Sequence, residues 1–72
     1  MEGGFFVKYH YFISYSNLDI HLAKREFNRT CVVLDEPITS LQHIKDVEEK
    51  IAERTHDTDP NVLYYSLLRT EE

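Results

Sequence analysis

The most regular alternation of apolar and polar positions lies in residues 5–16, FFVKYHYFISYS. Every odd position is apolar or aromatic, whereas most even positions are polar. Successive side chains of a β-strand point to opposite faces, so the pattern is typical of a strand with one buried face. We expect this strand to lie at the centre of a small sheet.

A second strand is predicted over residues 27–35, FNRTCVVLD, which are rich in β-branched side chains. Cys31 and Val33 would face one way and their neighbours the other. Residues 17–26 separate the two strand patterns and are long for a hairpin loop. Because this connection is partly apolar, it could hold a helical turn, cover one end of the core or project towards a partner.

A helix is predicted after Pro37, with Thr39 or Ser40 as its N-cap and its end near Arg54. Thr39 and Gln42 fit the spacing of a capping box. Apolar residues recur at helical spacing and form one stripe, which favours packing against a sheet. The stripe contains Leu41, Ile44, Val47 and Ile51.

Residues 55–61, THDTDPN, have the composition of a turn, and residues 62–68, VLYYSLL, that of a third strand. The element order is therefore ββαβ. A right-handed crossover predicts an α+β fold whose three-stranded antiparallel sheet has the order 2-1-3, with the helix on one face. We expect residues 1–72 to form a single small domain.

This fold would leave one sheet face and two edge strands uncovered. The uncovered face would carry Phe6, His10 and Phe12, and exposed edges are normally paired or protected. A chain of 72 residues also buries a small core, and its single cysteine, Cys31, allows no internal disulfide. We therefore expect a homo-oligomer, a dimer or larger, or a partner protein that covers these surfaces.

The net charge of −5 is unevenly distributed, since residues 1–34 carry about +1 and residues 35–72 about −6. An acidic protein gains no affinity by neutralising phosphates, so general nucleic-acid binding is not expected. An acidic mimic of nucleic acid is a weaker alternative. No apolar run reaches the length of a membrane span and no signal pattern is present, so we expect a cytoplasmic protein.

Residue types that carry catalysis or bind metals do not form known motifs in this sequence. The four histidines lack zinc-binding spacing, no glycine-rich phosphate loop follows a strand, and Cys31 is expected to be a packed, inert thiol. We expect no enzyme, no metal and no cofactor.

Two sets of residues remain candidates for binding. An interface would use the sheet face and the long connection, at Phe6, His10, Phe12, Leu18, Ile20 and Leu22. A small nucleotide ligand would stack on tyrosines, with its phosphates on basic residues. The residues for that ligand would be Lys8, Lys24, Arg25, Arg29, Tyr64 and Tyr65.

Two segments resemble known families. YFISYSNLD, residues 11–19, is similar to the opening strand of Toll/interleukin-receptor domains, but those are about twice as long with a parallel sheet, so we treat the match as coincidental. The stretch CVVLDEPITSLQHIKDVEEKI, residues 31–51, followed by NVLYYSLL, resembles small uncharacterised proteins of phages and mobile elements of Gram-positive bacteria. That resemblance covers most of the chain outside residues 17–26.

The second resemblance implies a phage or prophage accessory protein and supplies no catalytic residues. We expect a non-enzymatic binding protein, such as an inhibitor that contacts a host defence protein. The alternative is an oligomeric sponge that sequesters a signalling nucleotide between its subunits.

Overall fold

The computed structural model describes residues 7–72, which form three strands and one helix. These are β1 (Lys8–Asp19), β2 (Lys24–Leu34), α1 (Leu41–Thr55) and β3 (Thr58–Glu71). The strands form one antiparallel sheet in the order β2-β1-β3, and α1 packs on one of its faces. The predicted α+β fold, with the order 2-1-3, is confirmed.

The core lies between α1 and the middle of the sheet. The odd positions of β1 face the helix, as predicted, and Ile13 and Ile51 are fully buried at the centre. Leu41 does not belong to this core, because 69% of its surface is exposed at the start of the helix. The buried apolar residues are Tyr11, Ile13, Tyr15, Val32, Ile38, Val47 and Ile51.

Strands β1 and β2 form one continuous hairpin with a short turn. Asp19 pairs with Lys24, so the connection contains only residues 20–23, and the expected ten-residue connection is wrong. Asp19 Oδ1 accepts hydrogen bonds from the backbone N–H groups of His21 and Leu22 at 2.9 and 3.1 Å. Ala23 completes the turn with a positive φ of 53°, a conformation that favours glycine.

The helix is capped by Ser40, whose Oγ accepts a hydrogen bond from the His43 N–H at 3.3 Å. The expected capping box of Thr39 and Gln42 is wrong, since the Gln42 amide donates to Asp46 instead. The helix ends at His56, whose φ of 62° lets its N–H bond to the Ala52 carbonyl at 2.9 Å.

Two buried tyrosines tie the segments on either side of α1 to the central strand. The Tyr11 hydroxyl accepts a hydrogen bond from the Ile38 N–H at 2.9 Å, just before the helix. The Tyr15 hydroxyl donates to Asp57 Oδ2 at 2.7 Å, just after it. Burial, and next the hydrogen bond to Asp57, raise the pKa of Tyr15 above its usual value.

Side chains of α1 also reach the outer edges of the sheet. Arg54 donates to Thr30 Oγ1 and to the Cys31 carbonyl of β2, at 2.6 and 3.0 Å. Glu48 Oε2 accepts a hydrogen bond from the Val62 N–H of β3 at 2.8 Å. Each edge strand is therefore occupied at one position by a charged helix side chain.

We expect Ala23→Gly to raise the free energy of unfolding by about 0.5–1 kcal/mol. Glycine removes the steric cost of the left-handed conformation, and part of that gain is lost to the freer unfolded chain. Urea denaturation measures the change. The matched control is Ala52→Gly in the helix interior, which should lower the same free energy by about 0.8–1 kcal/mol. Equal effects of the two substitutions would contradict the assigned turn conformation.

Tyr15→Phe should lower the free energy of unfolding at pH 7 by about 1 kcal/mol, because Asp57 loses its hydrogen-bond donor. The folded pKa of Tyr15 exceeds its unfolded value, so the stabilisation is complete below about pH 10 and is lost as pH rises through the folded pKa. Between pH 9 and pH 11, roughly the range over which tyrosines titrate, the free energy of unfolding should therefore fall less for Tyr15→Phe than for the wild type.

Tyr64→Phe is the control for this experiment. Its side chain is 59% exposed, so removal of its hydroxyl should change the free energy of unfolding at pH 7 by less than about 0.5 kcal/mol. An alkaline stability profile of Tyr15→Phe identical to that of the wild type would contradict a stabilising role for the protonated Tyr15 hydroxyl.

Candidate functional site: the open face of the sheet

The face of the sheet opposite α1, which we call the open face, is covered by no helix of residues 7–72. Directly opposed residues of antiparallel strands share a face, so the strand register defines its members. Three residues of β1, four of β2 and three of β3 belong to it. They are His10, Phe12, Ser14, Phe27, Arg29, Cys31, Val33, Tyr64, Ser66 and Arg69.

The middle of the open face is apolar and aromatic. Phe12 packs edge-to-face on Tyr64, with 6.4 Å between the ring centroids. Phe27, Val33 and Tyr64 are 75%, 45% and 59% exposed. An uncovered group of large apolar side chains on one surface is characteristic of a binding site.

Cys31 lies on this surface as well, directly opposite Phe12 in the strand register. Its side chain is exposed, so the expectation of a packed thiol is wrong. The reason is geometric, since β2 turns its helix-facing side, with Val32, into the core and its other side, with Cys31, to solvent.

A salt bridge and a histidine–carboxylate hydrogen bond border the proximal end of the open face, at the start of β1. Lys8 Nζ lies 2.8 Å from Asp35 Oδ1, and His10 Nε2 lies 2.9 Å from Glu71 Oε1. The hydrogen bond and positive charge of Lys8 lower the pKa of Asp35. The hydrogen bond from His10, and next the charge of Arg69, lower the pKa of Glu71. Both carboxylates therefore stay charged to a lower pH than unpaired carboxylates do.

Arg25 lies across the distal end of the open face and connects the three strands. From β2, its guanidinium donates to Ser16 Oγ and to the Ser16 carbonyl of β1 at 3.1–3.2 Å. It also donates to Asp59 Oδ2 and to the Asp59 carbonyl of β3, at 2.9 and 2.7 Å. Asp59 has a positive φ of 50°, and these bonds hold it in that conformation. The buried Ser16 hydroxyl is thereby satisfied.

The structure brings five of the sequence-predicted residues together on the open face. They are Lys8, His10, Phe12, Arg29 and Tyr64. Arg25 lies on the same face, but its guanidinium is engaged by Ser16 and Asp59. Phe6 lies outside the described residues.

The remaining predicted residues lie elsewhere. Tyr65 is on the helix-side face, edge-to-face with Tyr11 at 6.0 Å. Lys24 begins β2, opposite Asp19. Three more residues are at the hairpin end: Leu18 is half-buried, and Ile20 and Leu22 are 63% and 61% exposed.

Phe27, Cys31 and Val33 are members of the open face that were not assigned to an interface from the sequence. The alternation in β2 already placed Cys31 and Val33 on a common face. Their assignment to the open face requires the register between β1 and β2, which places Cys31 opposite Phe12 on the same face of the sheet.

Two shallow grooves lie outside the open face. One, of about 220 Å³, runs between the end of β2 and α1 and includes Asp35, His43 and Lys50. The other, of about 270 Å³, lies at the hairpin end and includes Asn17 and His56. Within residues 7–72, no three His, Cys, Asp or Glu side chains are grouped to hold a metal ion. Over the same residues, no helix is long and apolar enough to cross a membrane.

Comparisons with protein-family models, with curated proteins and with solved structures found no match for this chain.

Arg25→Met should lower the free energy of unfolding by about 1–3 kcal/mol, because it removes charge-assisted hydrogen bonds that join three strands and leaves a buried Ser16 hydroxyl without its donor. Denaturant unfolding measures this change. Arg29→Met is the matched control, since Arg29 lies on the same strand and face and makes no side-chain hydrogen bond within residues 7–72. The control should stay within about 0.5 kcal/mol of the wild type. Equal losses would contradict the connecting role of Arg25.

Proposed function

We propose that this protein is a non-enzymatic binding protein that acts by protein–protein contact through the open face. The observation that carries this proposal is the exposed aromatic and aliphatic centre of that face, which the fold leaves uncovered. Aromatic, methionine and arginine side chains are enriched in interfaces, and an apolar centre within a polar rim is their usual arrangement.

The open face has both parts of that arrangement. Phe12 and Tyr64 supply the centre, and the exposed Phe27 and Val33 extend the apolar surface along β2, in the rows of Ser16 and His10. The salt bridges of Lys8 and Arg25, and the hydrogen bond of His10 to Glu71, border it at its two ends. Arg29 lies between them with no ion pair in the described part of the chain, so it is available to meet an acidic group of a partner.

We further propose a biological setting, which rests on the resemblance of LDEPITS and its flanking elements to small phage proteins. In that setting the partner is a protein of the host, and blocking a defence protein is the expected role. The open face is the surface that would make this contact, and a small protein without a catalytic site can inhibit by occupying a partner's surface in this way.

A nucleotide sponge is the second candidate. Its support is that Arg29 and Tyr64 lie in the same row of the sheet, on either side of Ser14. A base stacked on Tyr64 would place its phosphates within reach of Arg29, since adjacent strands are about 4.8 Å apart. The acidic mimic of nucleic acid remains a prediction from charge alone.

Native mass spectrometry of the protein purified from its own host separates these functions. A host polypeptide held by the wild type would support the inhibitor and identify its partner. A small added mass on an otherwise bare protein, with a thermal shift on addition of the matching nucleotide, would instead favour the sponge.

Phe27→Asp and Val33→Asp should each weaken binding to that polypeptide by about 30-fold or more, because a charge is placed in a desolvated apolar centre. Titration calorimetry measures the affinity. Leu41→Asp is the control, since Leu41 is 69% exposed on the helix side of the molecule and should leave the affinity unchanged. A loss of binding with Leu41→Asp, and none with the two open-face variants, would rule out the open face as the contact surface.

A further inference from the structure

The outer edge of β3 is the least protected part of the sheet. Five large apolar residues of this strand are between 41% and 59% exposed, and residues 61–68 contain no charge. The other edge strand, β2, carries Lys24, Arg25, Glu26 and Arg29. Charged side chains are the usual protection of an edge. β3 has them only towards its ends, at Asp59, Arg69 and Glu71, so residues 61–68 lack this protection. The five residues are Leu63, Tyr64, Tyr65, Leu67 and Leu68.

The backbone groups that β3 presents at this edge follow from the helix contacts. A strand residue points its N–H and C=O to one side, and its neighbours point theirs to the other. The Val62 N–H donates to Glu48, so the backbone groups of Val62 point away from β1. Tyr15 is the residue of β1 opposite Val62, and its backbone groups therefore bond to β2. By the same alternation Ile13 and Tyr11 bond β2.

The partners of Ile13 and Tyr11 on β3 are Tyr65 and Leu67. Their N–H and C=O groups consequently point outward from the sheet. The β2 edge agrees with this alternation. The Cys31 carbonyl points outward, where Arg54 donates to it, and Phe12, the residue of β1 opposite Cys31, therefore bonds to β3. Tyr65 and Leu67 together offer two donors and two acceptors to another strand.

Glu48 limits the length of edge that another strand can use. Because it occupies the Val62 N–H, pairing can begin only at Leu63. A ladder that starts there and is symmetric about Ser66 ends at Arg69. Its regular part is residues 65–67, because Leu63 and Leu68 have no partner in β1 and mark shifts of the strand register. The segment places Tyr65 opposite Leu67 of the partner subunit, so the outward groups of one copy meet those of the other.

We propose that a second copy of this chain pairs with β3 in antiparallel orientation, with the two-fold axis at Ser66. The dimer has one six-stranded sheet in the order 2-1-3-3-1-2, and both helices lie on the same side. Tyr65 and Leu67 of each copy then fill the space between the two helices. This arrangement uses Tyr64 and Ser66 at the β3 side of the open face and leaves its β2 side, with Phe27 and Val33, uncovered. It therefore does not rest on the proposed function.

The side chains of this segment suit a second copy. Tyr65 lies opposite the partner's Leu67 on the helix-side face, and Tyr64 lies opposite Leu68 of the partner subunit. The only charged residue, Arg69, lies opposite the partner's Leu63, so no like charges are opposed. An axis at Tyr65 would instead shorten the ladder that begins at Leu63 to residues 63–67.

The Ser66→Cys variant, made in a Cys31→Ser background, tests this register. Ser66 points its backbone groups to β1, so the two copies of residue 66 form a non-hydrogen-bonded pair with Cα atoms about 4.5 Å apart, within the range of a disulfide. We expect a covalent dimer on mild oxidation. Ser14→Cys in the same background is the control, because Ser14 faces the same side from the central strand and should stay monomeric on a reducing-agent-free gel.

Sedimentation of the wild type and of two edge variants completes the test. The wild type should dimerise with increasing concentration. Leu67→Lys should weaken the dimer at least tenfold, and Phe27→Lys on the β2 edge should leave it intact, with circular dichroism confirming that both are folded. A wild type that stays monomeric at every concentration overturns the proposal. A dimer that Phe27→Lys dissociates and Leu67→Lys does not would also overturn the proposal. The same holds if the wild type dimerises but the Ser66→Cys variant forms no disulfide.

Discussion

The structure depends on one constraint, which is that a single helix must cover a much longer sheet. Fifteen helical residues extend about 22 Å, whereas the fourteen residues of β3 extend about 46 Å. The molecule is accordingly elongated, with extents of 51 × 19 × 19 Å. The apolar core is confined to the length that α1 covers, around Ile13 and Ile51. Beyond it, at the hairpin end, polar contacts replace apolar packing: Arg25 joins the three strands, and the Asn28 amide donates to the buried Asn17 side chain.

The narrowness of the sheet gives the helix a second role. Three strands are about 10 Å wide from edge to edge, so a helix above the central strand can reach both edges with long side chains. Arg54 and Glu48 do so on opposite sides. The hydroxyl groups of Tyr11 and Tyr15 hold the two ends of the helix over β1, and this position is what brings those charged groups to the edges. These charged side chains of α1 therefore determine which backbone groups at the sheet edges remain free to pair with another strand.

The sequence contains enough information for the order and type of the elements, because the alternation of residues 5–16 and the helical stripe depend on local periodicity alone. It does not contain enough for the hairpin. Ser16, Asn17 and Asp19 have the composition of a loop, yet the first two are buried strand residues whose polar groups are satisfied by Arg25 and Asn28. Those partners lie on β2, nine and eleven residues further along the chain, so the periodicity of β1 does not reveal them. The alternation within β1 is enough to predict His10 and Phe12 as members of the open face. Phe27 could not be predicted in this way, because its place on that face depends on the register between β2 and β1.

The central position of β1 also determines how the chain can reach this fold. Its pairing with β2 is local and needs only the four-residue turn, which allows a hairpin to form within microseconds. Its pairing with β3 joins Lys8 to Glu71, at opposite ends of the described chain. Such non-local contacts require a large loss of chain entropy before they become favourable, so they slow folding. The helix shortens this search, because it carries the chain back along the sheet and delivers the last strand to the free side of the first. The rate of folding should therefore respond more to the stability of α1 than to that of the hairpin turn.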